Sequence, residues 1–370
     1  AAHPHVTRLT LNRLGRAGVT AIVEALSSGA SLPTAVIDAI IARTDGVPLF
    51  VEEMTKAVLE SGNGDALRIP ASLHDSLMAR LDRLPDVKEI AQAAACIGRV
   101  FDYKLLAAVA GWPEAELQGA LAKLAAAELV FRRGTPPDAS YTFKHALVQD
   151  AAYESLLRSR RQEMHRQIVL ALTERFPEQA AAEPDLLAQH YALAGMAEEA
   201  GAAWQNAGQQ ALARSAGREA IGHLKRGLAQ LALLPESPER VIQELAMQRL
   251  LGTACMNVHG YAAPEVMRAF GRAWELCGLV AADEDAATFP VLFGIWIYQL
   301  TRAQHARAAE AAADLLQRVQ QVEDQGARIA GFLAKAVSLS HIGRPSDAQA
   351  HYAMGTALCG SAEQPGLAQR

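Results

Sequence analysis

The chain reads as a mainly α-helical protein of several domains: a small helical unit, then a winged helix with a short β-hairpin, then an α-solenoid of tetratricopeptide-like helix pairs. Three observations predict this. Apolar residues recur at three- and four-residue spacing along almost the whole sequence. One pair of strand-like segments, "LVFRRG" (129–134) and "SYTFKH" (140–145), flanks a Pro-containing tip, "TPPDA". Beyond residue 160 the helices repeat a Tyr, turn-Gly, small-Ala and aromatic pattern. With 370 residues, 51% of them hydrophobic, the chain can bury several cores, which fits two to four domains.

From the N-terminus, "HVTRLTLNRL" alternates Val6, Leu9, Leu11 and Leu14 among polar residues, and its first half is predicted as a short strand. "GVTAIVEALSS", "PTAVIDAIIARTDG" and "PLFVEEMTKAVLESGNG" follow as three helices separated by Gly29 and Gly46. From Ile69 onward, "PASLHDSLMARLDRLP", "DVKEIAQAAACIG", "DYKLLAAVAG" and "PEAELQGALAKLAAAEL" are amphipathic helices that lead into the hairpin. Helices closed by a two-stranded hairpin describe a winged helix. The domain limits expected from this pattern are 1–66, 67–160 and 161–370.

A winged helix raises the possibility of DNA contact, and the charges argue against it. Residues 70–150 carry nine Lys/Arg and ten Asp/Glu, a balance of -1. The helix that would enter a groove begins with Glu114 and Glu116, where a base reader needs Arg, Asn or Gln. The whole chain, with 35 Lys+Arg against 40 Asp+Glu, has a net charge of -5 and offers no general attraction for nucleic acid or an anionic membrane.

In the repeats, "HYALAGMAEEAGAAWQNAGQQAL" (190–212) has the fullest pattern. Ala200, Ala220, Ala308 and Ala348 follow its turn, at separations of 20, 88 and 40 residues, so the array is degenerate. Such stacks present a concave face suited to a protein or small-ligand partner. "LLPESPER" (233–240) and "VAADEDAATFP" (280–290) are the best internal breaks, and "PVLFGIWIYQL" (290–300) is too short to span a membrane and reads as a buried helix.

Catalytic patterns are scarce. There is no G-x-x-x-x-G-K-[ST], G-x-S-x-G or H-E-x-x-H, so this stretch is expected neither to hydrolyse ATP nor to make cyclic nucleotide. Cys96, Cys255, Cys277 and Cys359 show no C-x-x-C pair and suit a reduced, cytoplasmic setting. His3 and His5 read as a solvated pair, and His190 and His351 as packing residues. Arg158, Arg160, Arg161 and Arg166 read as a solvated basic helix face. The N-terminal "AAHPHVTRLTL" has no initiator Met and no signal-peptide pattern, which suggests a start inside a longer protein.

Gly46-Val47-Pro48 has two readings. Gly permits a tight turn and Pro suits the first turn of a helix, so the tripeptide can be a helix start and nothing more. It can also be one wall of a nucleotide site, because Gly lets a backbone approach closely and a Pro ring gives a flat apolar contact without a competing donor.

"TDGVPLFVEE", "IPASLHDSLMARLDRLP" and "YTFKHALVQDAAYESLL", in that order, resemble the region that follows the Walker motifs in bacterial STAND-type AAA+ ATPases. More narrowly they resemble multidomain proteins in which a class III adenylate/guanylate cyclase domain precedes such an ATPase and a tetratricopeptide tail. The resemblance implies that residues 1–66 are the C-terminal lid part of the ATPase, and that Gly46 and Pro48 lie against the adenine of ATP or ADP. The phosphate loop, the Mg-binding acid and the cyclase carboxylates are not in this sequence, so no catalytic or metal residue is assigned. Two alternatives stay open: the same chassis in a LuxR-type transcription regulator, and a nucleotide-independent docking scaffold. Phe143, His145, Gln149, Asp150 and Tyr153 match the family signature without a known chemistry. Asp150, Tyr153 and Leu157 share a helical face, which predicts a joint between the winged helix and the repeats.

Overall fold

The structure is a computed structural model, and it describes residues 12–27, 32–60, 72–279, 285–320 and 324–360. The strand expected near residues 5–8, the histidines His3 and His5, and Gly29 lie outside the described residues. Among the described residues the chain forms nineteen helices and three strands. It divides into two compact units, 1–175 and 176–370.

The first unit begins with α1 (Arg16–Leu26), α2 (Thr34–Thr44) and α3 (Pro48–Glu60). Val19, Val23, Val36, Ile40, Val51, Met54 and Val58 meet in one core, so each helix supplies its three- and four-spaced apolar stripe. Next comes α4 (Leu73–Asp82), whose Ser72 cap accepts from the Asp75 N–H at 3.1 Å and which packs on α3.

The segment after α4 runs α5 (Pro85–Ile97), β1 (Val100–Asp102), α6 (Tyr103–Ala110), α7 (Glu114–Ala126), β2 (Val130–Arg133) and β3 (Ser140–Phe143). The sheet is antiparallel, in the order β1-β3-β2. Phe101 and Tyr141 are register partners and stack at 5.5 Å on the buried face, beside Phe143. The hairpin falls where alternation placed it. The third strand, β1, has only three residues, too few for alternation to show, and its pairing with β3 fixes it.

Two helices complete the unit, α8 (Ala146–Glu154) and α9 (Arg158–Arg175). The expected boundary at 160/161 places α9 with the repeats; instead it packs on α5 and α6, burying Met164, His165, Ile168 and Leu172.

The second unit consists of α10 (Pro177–Ala182), α11 (Pro184–Ala194), α12 (Ala197–Ala213), α13 (Gly217–Leu231), α14 (Pro238–His259), α15 (Pro264–Cys277), α16 (Asp285–Thr301), α17 (His305–Val319), α18 (Gln325–His341) and α19 (Pro345–Gly360). Each helix from α11 onward packs on the next, and α12, α14, α16 and α18 touch in succession. That is the contact pattern of stacked helix pairs.

Four of the junctions share one geometry. Gly195, Ser215, Ala303 and Gly343 all have positive φ, and five residues after each stands a buried alanine: Ala200, Ala220, Ala308 and Ala348. In all four the residue after the left-handed one donates its N–H five residues back: Met196 to Tyr191, Ala216 to Ala211, Gln304 to Gln299, and Arg344 to Leu339. This is a Schellman-type closure. The irregular sequence spacing therefore conceals a regular local unit.

The proposed breaks are not breaks. Residues 233–240 form a short turn in which Ser237 caps α14, and one core runs from Ala211 through Leu224, Leu251 and Phe270 to Ile295. That core also continues past residues 280–284, which lie outside the described residues. The segment at 290–300 buries Val291, Leu292, Ile295 and Trp296, and the Trp296 indole N–H donates to Ser338 Oγ at 2.8 Å. No described helix is long and apolar enough to cross a membrane.

Candidate functional site

At "TDGVP" the chain turns sharply between α2 and α3. Asp45 (φ 49) and Gly46 (φ 68) both adopt the left-handed conformation. The Leu14 N–H donates to the Gly46 carbonyl at 2.8 Å, and a Cβ at residue 46 would collide with the Leu14 carbonyl oxygen. Gly46 is thus buried beneath a crossing strand of backbone, a requirement that holds with or without a ligand. Pro48 is different. It opens α3 and is exposed.

Below Pro48, α3 presents Val51, Met54 and Val58 to the core, and on another face Glu52, Glu53 and Lys56. Glu53 is 2% exposed. Its Oε2 accepts from Arg80 Nη1 at 2.5 Å, while Arg80 Nη2 donates to the Ala127 carbonyl at 2.8 Å. His145 Nε2 lies 3.9 Å from the other Glu53 oxygen. Alongside, Lys56 Nζ donates to Glu52 at 2.9 Å and to Glu128 at 2.6 Å, and Lys144 Nζ donates to the same two acids at 3.2 and 3.0 Å.

These bonds set the protonation of the cluster. Hydrogen bonds from Lys56 and Lys144 hold the Glu128 carboxyl down at about 2, and the same lysines lower Glu52 against the opposing effect of burial. Burial works against the charge on Lys56, but its bonds to Glu128 and Glu52 outweigh it and raise the ammonium above its ordinary value. The contribution of these carboxylates to stability is therefore full above their unfolded values and is lost as pH falls, for Glu128 toward about 2.

Three separate sequence motifs thus meet at one point: Glu52 and Glu53 from the first, Arg80 from the second, Lys144 and His145 from the third. Sequence reasoning singled out only His145 among these. The signal was present, since Arg80 stands between Leu77 and Leu81 on the buried side of α4, where an unpaired cation would be costly.

Three of the remaining four signature residues have structural roles. Phe143 is 1% exposed and packs on Phe101. Gln149 Nε2 donates to the Ala95 carbonyl at 3.2 Å. Tyr153 Oη is 3.1 Å from His165 Nε2 on α9, and the Arg161 guanidinium lies over the Tyr153 ring. Of the face expected for Asp150, Tyr153 and Leu157, only Tyr153 is engaged, by Arg161 and His165 of α9. Asp150 is exposed, Leu157 lies beyond the end of α8 and is 77% exposed, and Tyr153 turns to α9 within the same unit. The helix is too short to carry the face that far.

His165 carries a pH prediction. Burial, assisted by the Arg161 charge, lowers its imidazole to about 4. The unfolded chain, with an ordinary His at about 6.5, takes up the proton first, so stability is full above about 6.5 and falls as pH drops toward 4. Urea-unfolding free energies at pH 7 and 4.5 should differ for the wild type by an amount that includes roughly 2–3 kcal/mol from this group. His165→Phe should remove that part of the difference; an undiminished difference would locate the acid sensitivity elsewhere.

Among the described residues no cluster of His, Cys, Asp or Glu is placed to hold a metal ion. The basic residues of α9 divide: Arg161 covers Tyr153, Arg166 is 3.8 Å from Glu163, and Arg158 and Arg160 are exposed. His190 is buried, and His351 packs against Phe332.

No family model matches the chain. An uncharacterized protein of Rhizobium meliloti (strain 1021) is 30% identical over 275 residues, which cover 72% of this chain and 27% of that protein. The chain thus spans about a quarter of the length of the curated relative it matches. Among solved structures, the Signal Transduction ATPase with Numerous Domains (STAND) protein with a tetratricopeptide repeat sensor from Pyrococcus horikoshii is similar at 13% identity with a TM-score of 0.36, over 97% of this chain and 56% of that one.

Proposed function

We propose that this chain is the regulatory part of a STAND-type signalling protein, in which ATP or ADP lies against Pro48 and α3 carries its presence to the sheet-bearing domain. The observation that carries this reading is the convergence on α3. Its N-terminus presents an exposed Pro ring, and one to two turns further on it is joined through Glu52, Glu53 and Lys56 to α4, to the α7–β2 turn and to the start of α8. A displacement at Pro48 therefore moves a helix that is ion-paired to three other elements, a rigid lever and not a loose flap.

The order helix, strand, two helices, hairpin over residues 85–143 supports reading the second element as a winged helix, one used for nucleotide-dependent docking and not for DNA. The stacked helix pairs support a protein- or ligand-binding role for the repeats. Coupling to a class III nucleotide cyclase and a cytoplasmic setting complete the proposal. The first rests on the motif resemblance and the second on the scattered cysteines.

Pro48→Ala tests the nucleotide contact. In a chain extended upstream to include the phosphate loop, it should weaken ADP binding by about 1–2 kcal/mol, roughly 5- to 30-fold, while the helical signal is unchanged. Equal affinities would reduce "GVPLF" to a helix start. Gly46→Val cannot discriminate, because its clash with Leu14 distorts the turn with or without nucleotide.

A further inference from the structure

Within the first unit a cleft of about 580 Å³ opens between α5, the end of α6, the segment after α8, and α9. Its size suits a small molecule. Ile90, Val109, Trp112 and Met164 form apolar walls. The tail of the third sequence motif, Ser155 to Leu157, lines it too, and Gln92 Nε2 donates to Ser155 Oγ at 2.7 Å. Leu157 is the most exposed large hydrophobic side chain among the described residues, at 77%. Leu157 stands at the mouth of this cleft, whose lining mixes those apolar walls with the polar Gln92, Ser155 and Gln167.

Charge narrows the occupant. Only two charged residues line the cleft, Glu89 and Arg160. Their sequence neighbours are engaged: Lys88 pairs with Asp82, and Arg161 covers Tyr153. Neither Glu89 nor Arg160 has an ion-pair partner among the described residues, and they do not pair with each other. One acid and one base, both available, at one cavity with apolar walls complement a molecule with an ammonium, a carboxylate and an apolar body.

We propose that this cleft binds a short peptide-like zwitterion with apolar side chains, its carboxylate on Arg160 and its ammonium on Glu89. Arg suits the first role because its planar fork matches a carboxylate. The apolar side chains of the ligand would lie on Trp112, Ile90 and Met164, covered by Leu157. The site is separate from Pro48 and does not depend on the nucleotide reading.

The test is calorimetric titration of the chain with the dipeptide leucyl-phenylalanine, its C-terminal amide and its N-acetyl form. The free dipeptide should bind, and each blocked form should bind at least tenfold more weakly. Arg160→Gln should weaken the free dipeptide by a similar factor and abolish the difference between acid and amide; Glu89→Gln should do the same for the amine and acetyl pair. Both side chains are exposed, so the helical signal should not change. No heat at millimolar dipeptide, equal affinities for all three forms, or an amide penalty that persists in Arg160→Gln would overturn the assignment.

Discussion

Arg80→Met should destabilise the first unit by about 3–5 kcal/mol, the range for removing one partner of a buried ion pair. The substitution keeps the apolar stem volume but leaves the Glu53 carboxylate, 2% exposed, without the cation 2.5 Å away, and leaves the Ala127 carbonyl without its 2.8 Å donor. A second variant separates charge from packing. In Glu53→Gln/Arg80→Met no net charge stays buried, so the double variant should recover part of the loss, and the cycle should show coupling well above the few tenths expected of independent sites. Urea unfolding followed by hydrogen exchange of the α3 and α4 amides would read this directly. A loss below about 1 kcal/mol is what a solvent-exposed pair gives. That result would mean that α3 is not locked to α4, and the lever proposed for nucleotide sensing would have no fulcrum.

Much of this architecture is legible in the sequence, for reasons that differ by element. The hairpin 130–143 is visible because alternation and Pro-Pro punctuation coincide, and the helices because 3.6-residue periodicity persists over ten or more residues. The three-residue strand β1 and the placement of α9 are not visible. The first takes its identity from pairing with β3, and the second from burial of Met164 and Ile168 against helices sixty residues earlier. Gly46 was legible as special but not in its full cause, since Leu14 lies more than thirty residues away along the chain. The charge cluster was hidden for the same reason: Glu53, Arg80, Glu128 and Lys144 are ordinary charged residues until folding brings them together. What local pattern could offer was Arg80 on an apolar helix face, a misfit whose partner only the tertiary structure supplies.

The repeat unit gives the second large effect, at Trp204. Trp204 is 4% exposed and packs with Ala188, Ala200, Ala203 and Ala207, with Tyr191 partly buried beside them. Its ring stacks on His223 at 5.3 Å and carries the Arg226 guanidinium at 5.1 Å, both from α13. Gly227 is close-packed against it, since a Cβ there would fall 3.0 Å from the Trp204 Cβ. The surrounding alanines and glycine are small because the indole fills the space between α11, α12 and α13, so they cannot expand into the void it would leave. Trp204→Ala should therefore cost about 3–5 kcal/mol, the transfer loss plus a cavity that collapses only in part. Trp204→Phe should cost less, because a ring remains to stack on His223 and Arg226. Thermal melts of both variants, with exchange protection of the α11–α13 amides as the local readout, distinguish the cases. Equal melting curves for wild type and Trp204→Ala would mean that the helix pairs are held by their alanine contacts alone, and the indole would lose its role as the filler of the first pair.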